Sequence, residues 1–342
     1  MLRTTARSVA VALALLAAPV HAGDEILGRK VDLPDQSGAF FQREGQQLLG
    51  ALTYHRPLLL LFWRAGDPAS REKAVPLALQ LQAEYPDDLV VVFLERSGLS
   101  QRDMLRVACR ERWLDTQALW SCAAIPGIEP ETQPAFVLTT AARMAVQAAD
   151  PVADEAALHA ELKWVVEQRL AGAPDLPPAA RAAWKALREG RLRDALSLQD
   201  TAVALADRGR PGDTAQVQAL SEQAGLIQGT LSTRIELIEN LLMTGYSAAR
   251  LPRAVALVDQ LKDLPERHPL RQAAAQALEN ARSGGEGDER QASEALLELQ
   301  SRLFRNGPAA ALAQELSRLA DRYPQTYAAG RASFLATIAS AD

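Results

Sequence analysis

The chain has 342 residues, with 37 basic and 42 acidic side chains and a formal net charge of −5. Apolar residues make up 48% and aromatic residues 5%, a soluble composition with length for two cores of roughly 100–200 residues each. The chain is mildly acidic, and its arginines alternate with Glu and Asp rather than forming a basic patch. This argues against a nucleic-acid or anionic-membrane binder.

Residues 1–22 read as a secretory signal peptide. Arg3 and Arg7 make a positive start, Val9 to Ala18 is a short apolar run, and Val20-His21-Ala22 ends on a small residue. The run is shorter than the ~20 residues that a membrane span needs. Cleavage before Gly23 leaves 35 basic against 42 acidic groups, a net charge near −7. It places the mature chain in the periplasm or outside the cell. No Cys follows the cleavage site, which argues against a lipoprotein, and no later stretch is apolar enough to span a membrane.

Residues 24–40 carry turn formers: Gly28, Pro34-Asp35 and Ser37-Gly38. A helix is expected from Gly45 to Tyr54, broken by Arg56-Pro57. Leu58-Leu59-Leu60-Leu61-Phe62-Trp63 is a compact apolar run, the pattern of a strand buried on both faces. A polar turn over Arg64–Ser70 leads to a helix over Arg71–Tyr85, with Leu77, Leu81 and Tyr85 on one side. Leu89 to Leu94 is a second buried strand, and Ser100 to Trp113 a helix with Ser100 as cap. Ala135 to Leu138, after Pro134, is a third strand, and Met144 to Gln147 returns as its antiparallel partner. Asp154 to Leu170 is a long amphipathic helix. This order gives one three-layer α/β domain over residues 23–171.

Cys109 and Cys122 are the two cysteines. They stand 13 apart, which fits neither C-x-x-C nor a zinc knuckle. In an oxidising compartment the expectation is a structural disulfide, whose short loop contributes ~3 kcal/mol in the chain-entropy account. Free buried thiols, or a reactive pair, are the alternatives. Trp113 and Trp120 flank this segment as core or as cover for it.

Phe62-Trp63 before a turn and helix, together with Thr132-Gln133-Pro134 before the third strand, resembles the thioredoxin-like fold. The similarity is greatest to its periplasmic TlpA/DsbE-like branch and to peroxiredoxin relatives. The resemblance implies a Cys-x-x-Cys turn about four residues past the Phe-Trp pair, faced by a cis proline at Pro134. Here that turn reads Asp67-Pro68-Ala69-Ser70, and residues 64–71 contain no Cys. Thiol exchange needs an attacking thiolate, which neither Asp67 nor Ser70 supplies; both are expected to cap the helix. The resemblance further implies a groove for an extended polypeptide, with Trp63, Asp67, Pro68, Ser70, Gln133 and Pro134 as its candidate residues.

Gly172 to Pro178 is a Pro-rich linker, and strand patterns then vanish. Helices are expected at 178–189, 191–207, 213–228, 231–243, 251–263, 268–282, 289–305, 308–322 and 325–338. They make residues 179–342 an all-α region of helical pairs. Gly190, Ala195 and Ala202, and the stretch Ala309–Ala329, resemble parts of tetratricopeptide (TPR) units. The ~34-residue period cannot be followed, so an irregular bundle packed on the α/β domain is an equal expectation.

No catalytic constellation emerges. His55, His159 and His268 have no ligand spacing, and neither a G-x-S-x-G elbow nor a phosphate-cradling loop is present. No metal, cofactor or catalytic residue is therefore expected. The reading is a non-catalytic periplasmic interaction module, a holdase or assembly scaffold whose partner is a protein or unfolded polypeptide of the envelope. The alternatives are an oxidoreductase using Cys109 and Cys122, or a structural subunit of an envelope complex such as one for cytochrome maturation.

Overall fold

A computed structural model describes residues 26–33, 40–41, 56–86, 88–116, 118–130, 132–140, 143–171, 176–210, 212–242, 246–283 and 287–340. The signal-peptide residues and the helix expected at 45–54 lie outside the described residues.

The α/β part runs β1 (Leu58–Trp63), α1 (Val75–Glu84), β2 (Val90–Glu95), α2 (Gln101–Arg110), β3 (Leu119–Ser121), β4 (Ala135–Thr139), β5 (Ala145–Ala149) and α3 (Glu155–Ala171). The sheet order is β3-β2-β1-β4-β5. β1 pairs parallel with β2 and antiparallel with β4, and β5 pairs antiparallel with β4. This is the thioredoxin-like arrangement, and the Gln133–Pro134 bond is cis. Every residue of β1 is buried, because both faces are covered. Leu58, Leu60 and Phe62 share a cluster with Val31, Ile125 and Ile128. Leu59, Leu61 and Trp63 share one with the inner sides of α1, α2 and α3.

β3 was not expected from the sequence. It is three residues long, pairs parallel with β2, and is bridged on its other side by Phe41. α2 ends three residues before the expected Trp113. Arg112 takes φ +62° there, and the turn brings Trp113 edge-on to Trp63, with centroids 5.7 Å apart.

The helical part holds α4 (Pro178–Arg188), α5 (Leu192–Asp207), α6 (Thr214–Leu242), α7 (Leu251–Gln260), α8 (Pro269–Ser283), α9 (Asp288–Asn306), α10 (Ala310–Arg322) and α11 (Tyr327–Ala339). The two helices expected at 213–228 and 231–243 are one helix of 29 residues. Thr230 does not break it; its hydroxyl donates back to Leu226 O at 2.9 Å within the helix.

The last three helices return to the α/β part along α2. Arg106 donates to Thr337 O at 3.1 Å and to Ser340 Oγ at 3.3 Å. The Cys109 thiol donates to Leu303 O at 3.6 Å. Phe41 meets Phe304 edge-on at 6.3 Å, and the Arg331 guanidinium lies 4.6 Å from the Phe41 ring centroid. One apolar cluster accordingly runs without a break from the sheet through α2 into α9, α10 and α11.

Candidate functional site

The candidate groove forms at the C-terminal ends of β1 and β2. The β1–β4 register pairs Phe62 with Ala135, so its continuation sets Arg64 opposite Gln133. Arg64 Nε donates to Gln133 Oε1 at 2.6 Å across that gap. The turn beyond Arg64 closes on itself. Asp67 N donates to Arg64 O at 3.1 Å, and Arg71 N to Asp67 O at 3.1 Å. Asp67 Oδ2 accepts the Ser70 N–H at 2.7 Å, and Ser70 Oγ accepts the Arg64 N–H at 3.1 Å.

Asp67 caps the helix start as expected, whereas Ser70 does not cap it: its hydroxyl oxygen accepts the Arg64 N–H and ties the helix start back to the end of β1. The Ser70 hydroxyl, helped by the Ser70 and Ala69 N–H groups and the Arg64 charge, holds the Asp67 carboxyl below its usual value, against desolvation that pushes it up. The following helix opens as a π turn over Ser70–Ala74, with Val75 N donating to Ser70 O. Pro76 lies one residue on and has no N–H to give to Glu72, which favours the wider turn.

The sequence did not single out Glu95, which organises this end of the sheet. It ends β2 opposite Trp63 and is 2% exposed. Its carboxylate accepts Ala65 N at 3.2 Å, Ser97 N at 2.8 Å and Leu99 N at 3.3 Å, and also the Ser97 hydroxyl. The signal available was an acid closing an otherwise apolar strand. Beside it, Arg96 donates to Glu95 O at 3.0 Å and Ala123 O at 2.9 Å, and lies 5.3 Å from the Phe62 ring centroid. Burial lowers the Arg96 pKa, and Glu129 partly offsets it.

Three of the six groove candidates do not offer their side chains to a ligand. Trp63 is fully buried against Trp113 and Trp120, so it is core. Ser70 is 0% exposed, and Pro134 is buried. Pro68 is exposed, while Asp67 and Gln133 are half-buried. Arg64, which sequence reading missed, is exposed between them.

The expected disulfide is not formed. Cys109 and Cys122 are both free thiols. Cys109 lies on the buried side of α2, turned to Leu303 of α9, whereas Cys122 follows β3 and takes its place beside Glu95 and Arg96. Burial pushes the Cys109 thiol up to about 12. Burial, with the Glu95 charge second, pushes Cys122 up to about 11. A reactive thiol needs the opposite shift. Among the described residues no group of three or more His, Cys, Asp or Glu side chains could hold a metal ion. Among them, no helix is long and apolar enough to cross a membrane.

No family model matches this chain, and no curated protein does. Solved structures similar to part of it include the following two. One is a thioredoxin-like superfamily protein with 15% identity and a TM-score of 0.34, covering 40% of this chain and 97% of its own. The other is described as a thiol:disulfide interchange protein, DsbE, from Chlorobium tepidum, with 16% identity and a TM-score of 0.30. It covers 40% of this chain and 98% of its own. The fold assignment stands on the strand order, the β1–β4 register and the place of the turn.

Proposed function

We propose that this chain is a non-catalytic protein-interaction module of the periplasm, which binds extended polypeptide at the thioredoxin-like groove and uses its helical part as a second surface. The observation that carries the reading is the turn at Asp67–Ser70. It has no thiol, and its two polar side chains accept backbone N–H groups, Asp67 from Ser70 and Ser70 from Arg64. The free cysteines elsewhere are shifted toward the protonated, unreactive form. What remains at the strand ends is a partly exposed polar edge formed by Arg64, Asp67 and Gln133, suited to binding rather than to exchange.

The periplasmic assignment rests on the residue pattern at 1–22. Paired helices with small residues at Ala195 and Ala202, both buried between helices, support a TPR-like binding role for the helical part. On this reading the protein acts as a holdase or an assembly scaffold.

The test is light scattering of a thermally unfolding client protein, with and without the full chain, beside an insulin-reduction assay with dithiothreitol. Suppressed scattering without accelerated insulin reduction supports the reading. Accelerated reduction, or scattering unaffected at a molar excess of the chain, overturns it.

A further inference from the structure

Within the groove, one side chain combines exposure, fixed orientation and unfilled hydrogen-bonding capacity. Arg64 is exposed, and among the described residues its one side-chain hydrogen bond is from Nε to Gln133 Oε1. That bond holds one edge of the planar guanidinium, and among the described residues neither Nη1 nor Nη2 has a hydrogen-bond acceptor.

The neighbouring charges are already engaged. Arg71 pairs with Glu111. Arg96 is turned to the carbonyls of Glu95 and Ala123. The Asp67 carboxylate accepts the Ser70 N–H at the helix start and also feels the Arg64 charge, while Glu95 is buried among its own donors. A planar fork held from one side matches a carboxylate, which takes two parallel N–H bonds, better than a backbone carbonyl, which accepts at a single oxygen.

We propose that Arg64 is the specificity-determining residue of the groove and that it selects polypeptide segments carrying a carboxylate. Gln133 is its positioning residue. This inference rests on the polypeptide-binding reading above.

The experiment uses the full chain and two fluorescein-labelled, extended Ser/Val peptides that differ only in a central Glu or Gln, with binding read by fluorescence anisotropy. The Glu peptide is expected to bind about tenfold tighter at low salt, the effect of one exposed charge-assisted pair. The preference shrinks as salt screens it. Arg64→Gln removes the preference, so that the two peptides bind alike. Arg64→Lys keeps the charge without the fork and retains only part of the preference. Gln133→Ala keeps the arginine, frees its orientation, and also retains only part.

Equal binding of the two peptides by the native chain, or a preference that survives Arg64→Gln, overturns the assignment of Arg64 while leaving polypeptide binding standing. Binding of neither peptide overturns both.

Discussion

Replacing Glu95 tests the organisation of the groove most sharply. In Glu95→Ala, the N–H groups of Ala65, Ser97 and Leu99 lose their acceptor together. Each donor left without a partner costs about 1–3 kcal/mol, and these sites are only partly buried, so the low end applies and the sum is about 3 kcal/mol. Glu95→Gln keeps one acceptor oxygen but sets an NH2 group against one of the donors, and should cost about 1–2 kcal/mol. The assay is guanidinium unfolding followed by tryptophan fluorescence, which reads the Trp63–Trp113–Trp120 cluster next to the turn. A loss below about 1 kcal/mol for Glu95→Ala would refute the claim that this carboxylate holds the turn.

Phe304→Ala empties a fully buried site between α9 and Phe41; it should cost about 3–5 kcal/mol and open Cys109 to alkylation in the otherwise folded chain. Continued protection of Cys109, read by mass spectrometry, would show that α9 does not cover it. The thiols also set an alkaline limit. Their pKa values rise from 9.0 unfolded to about 12 and about 11 folded, so below pH 9 both states keep their protons. Above pH 9 the unfolded chain binds fewer protons, and stability falls as pH rises toward 11–12. Cys109→Ala with Cys122→Ala should flatten that fall in pH-dependent melts. At the acidic end the sign reverses. The Asp67 carboxyl titrates below its usual 3.8, so its stabilising effect is present above that pH and lost as pH falls through the folded value. Asp67→Ala should cost about 1 kcal/mol at neutral pH as a lost cap, measured by urea unfolding, and should be less acid-sensitive than the native chain.

The sequence made the buried strands legible because β1, β2 and β4 are apolar on both faces, a pattern that survives any packing detail. β3 was not legible, because three residues carry no periodicity and its pairing depends on β2 and Phe41. Thr230 reads as a turn signal in the sequence, but its hydroxyl bonds back to Leu226 O and α6 runs on through it. That residues 64–71 carry no thiol was legible because it is a fact of composition. Which side chains face outward was not readable: Ser70 and Trp63 turn inward through tertiary contacts. The cysteine pairing was argued from compartment alone, and compartment says nothing of the two separate surroundings that α2 and the loop after β3 give these thiols.

The central claim is that the chain binds polypeptide without thiol chemistry. The most direct measurement is the affinity of the full chain for a labelled, permanently unfolded polypeptide, compared with that of its Cys109→Ala, Cys122→Ala double variant. The account predicts equal affinity for both proteins and no disulfide exchange by either. Exchange activity that disappears in the double variant would contradict it, as would the absence of binding by the native chain.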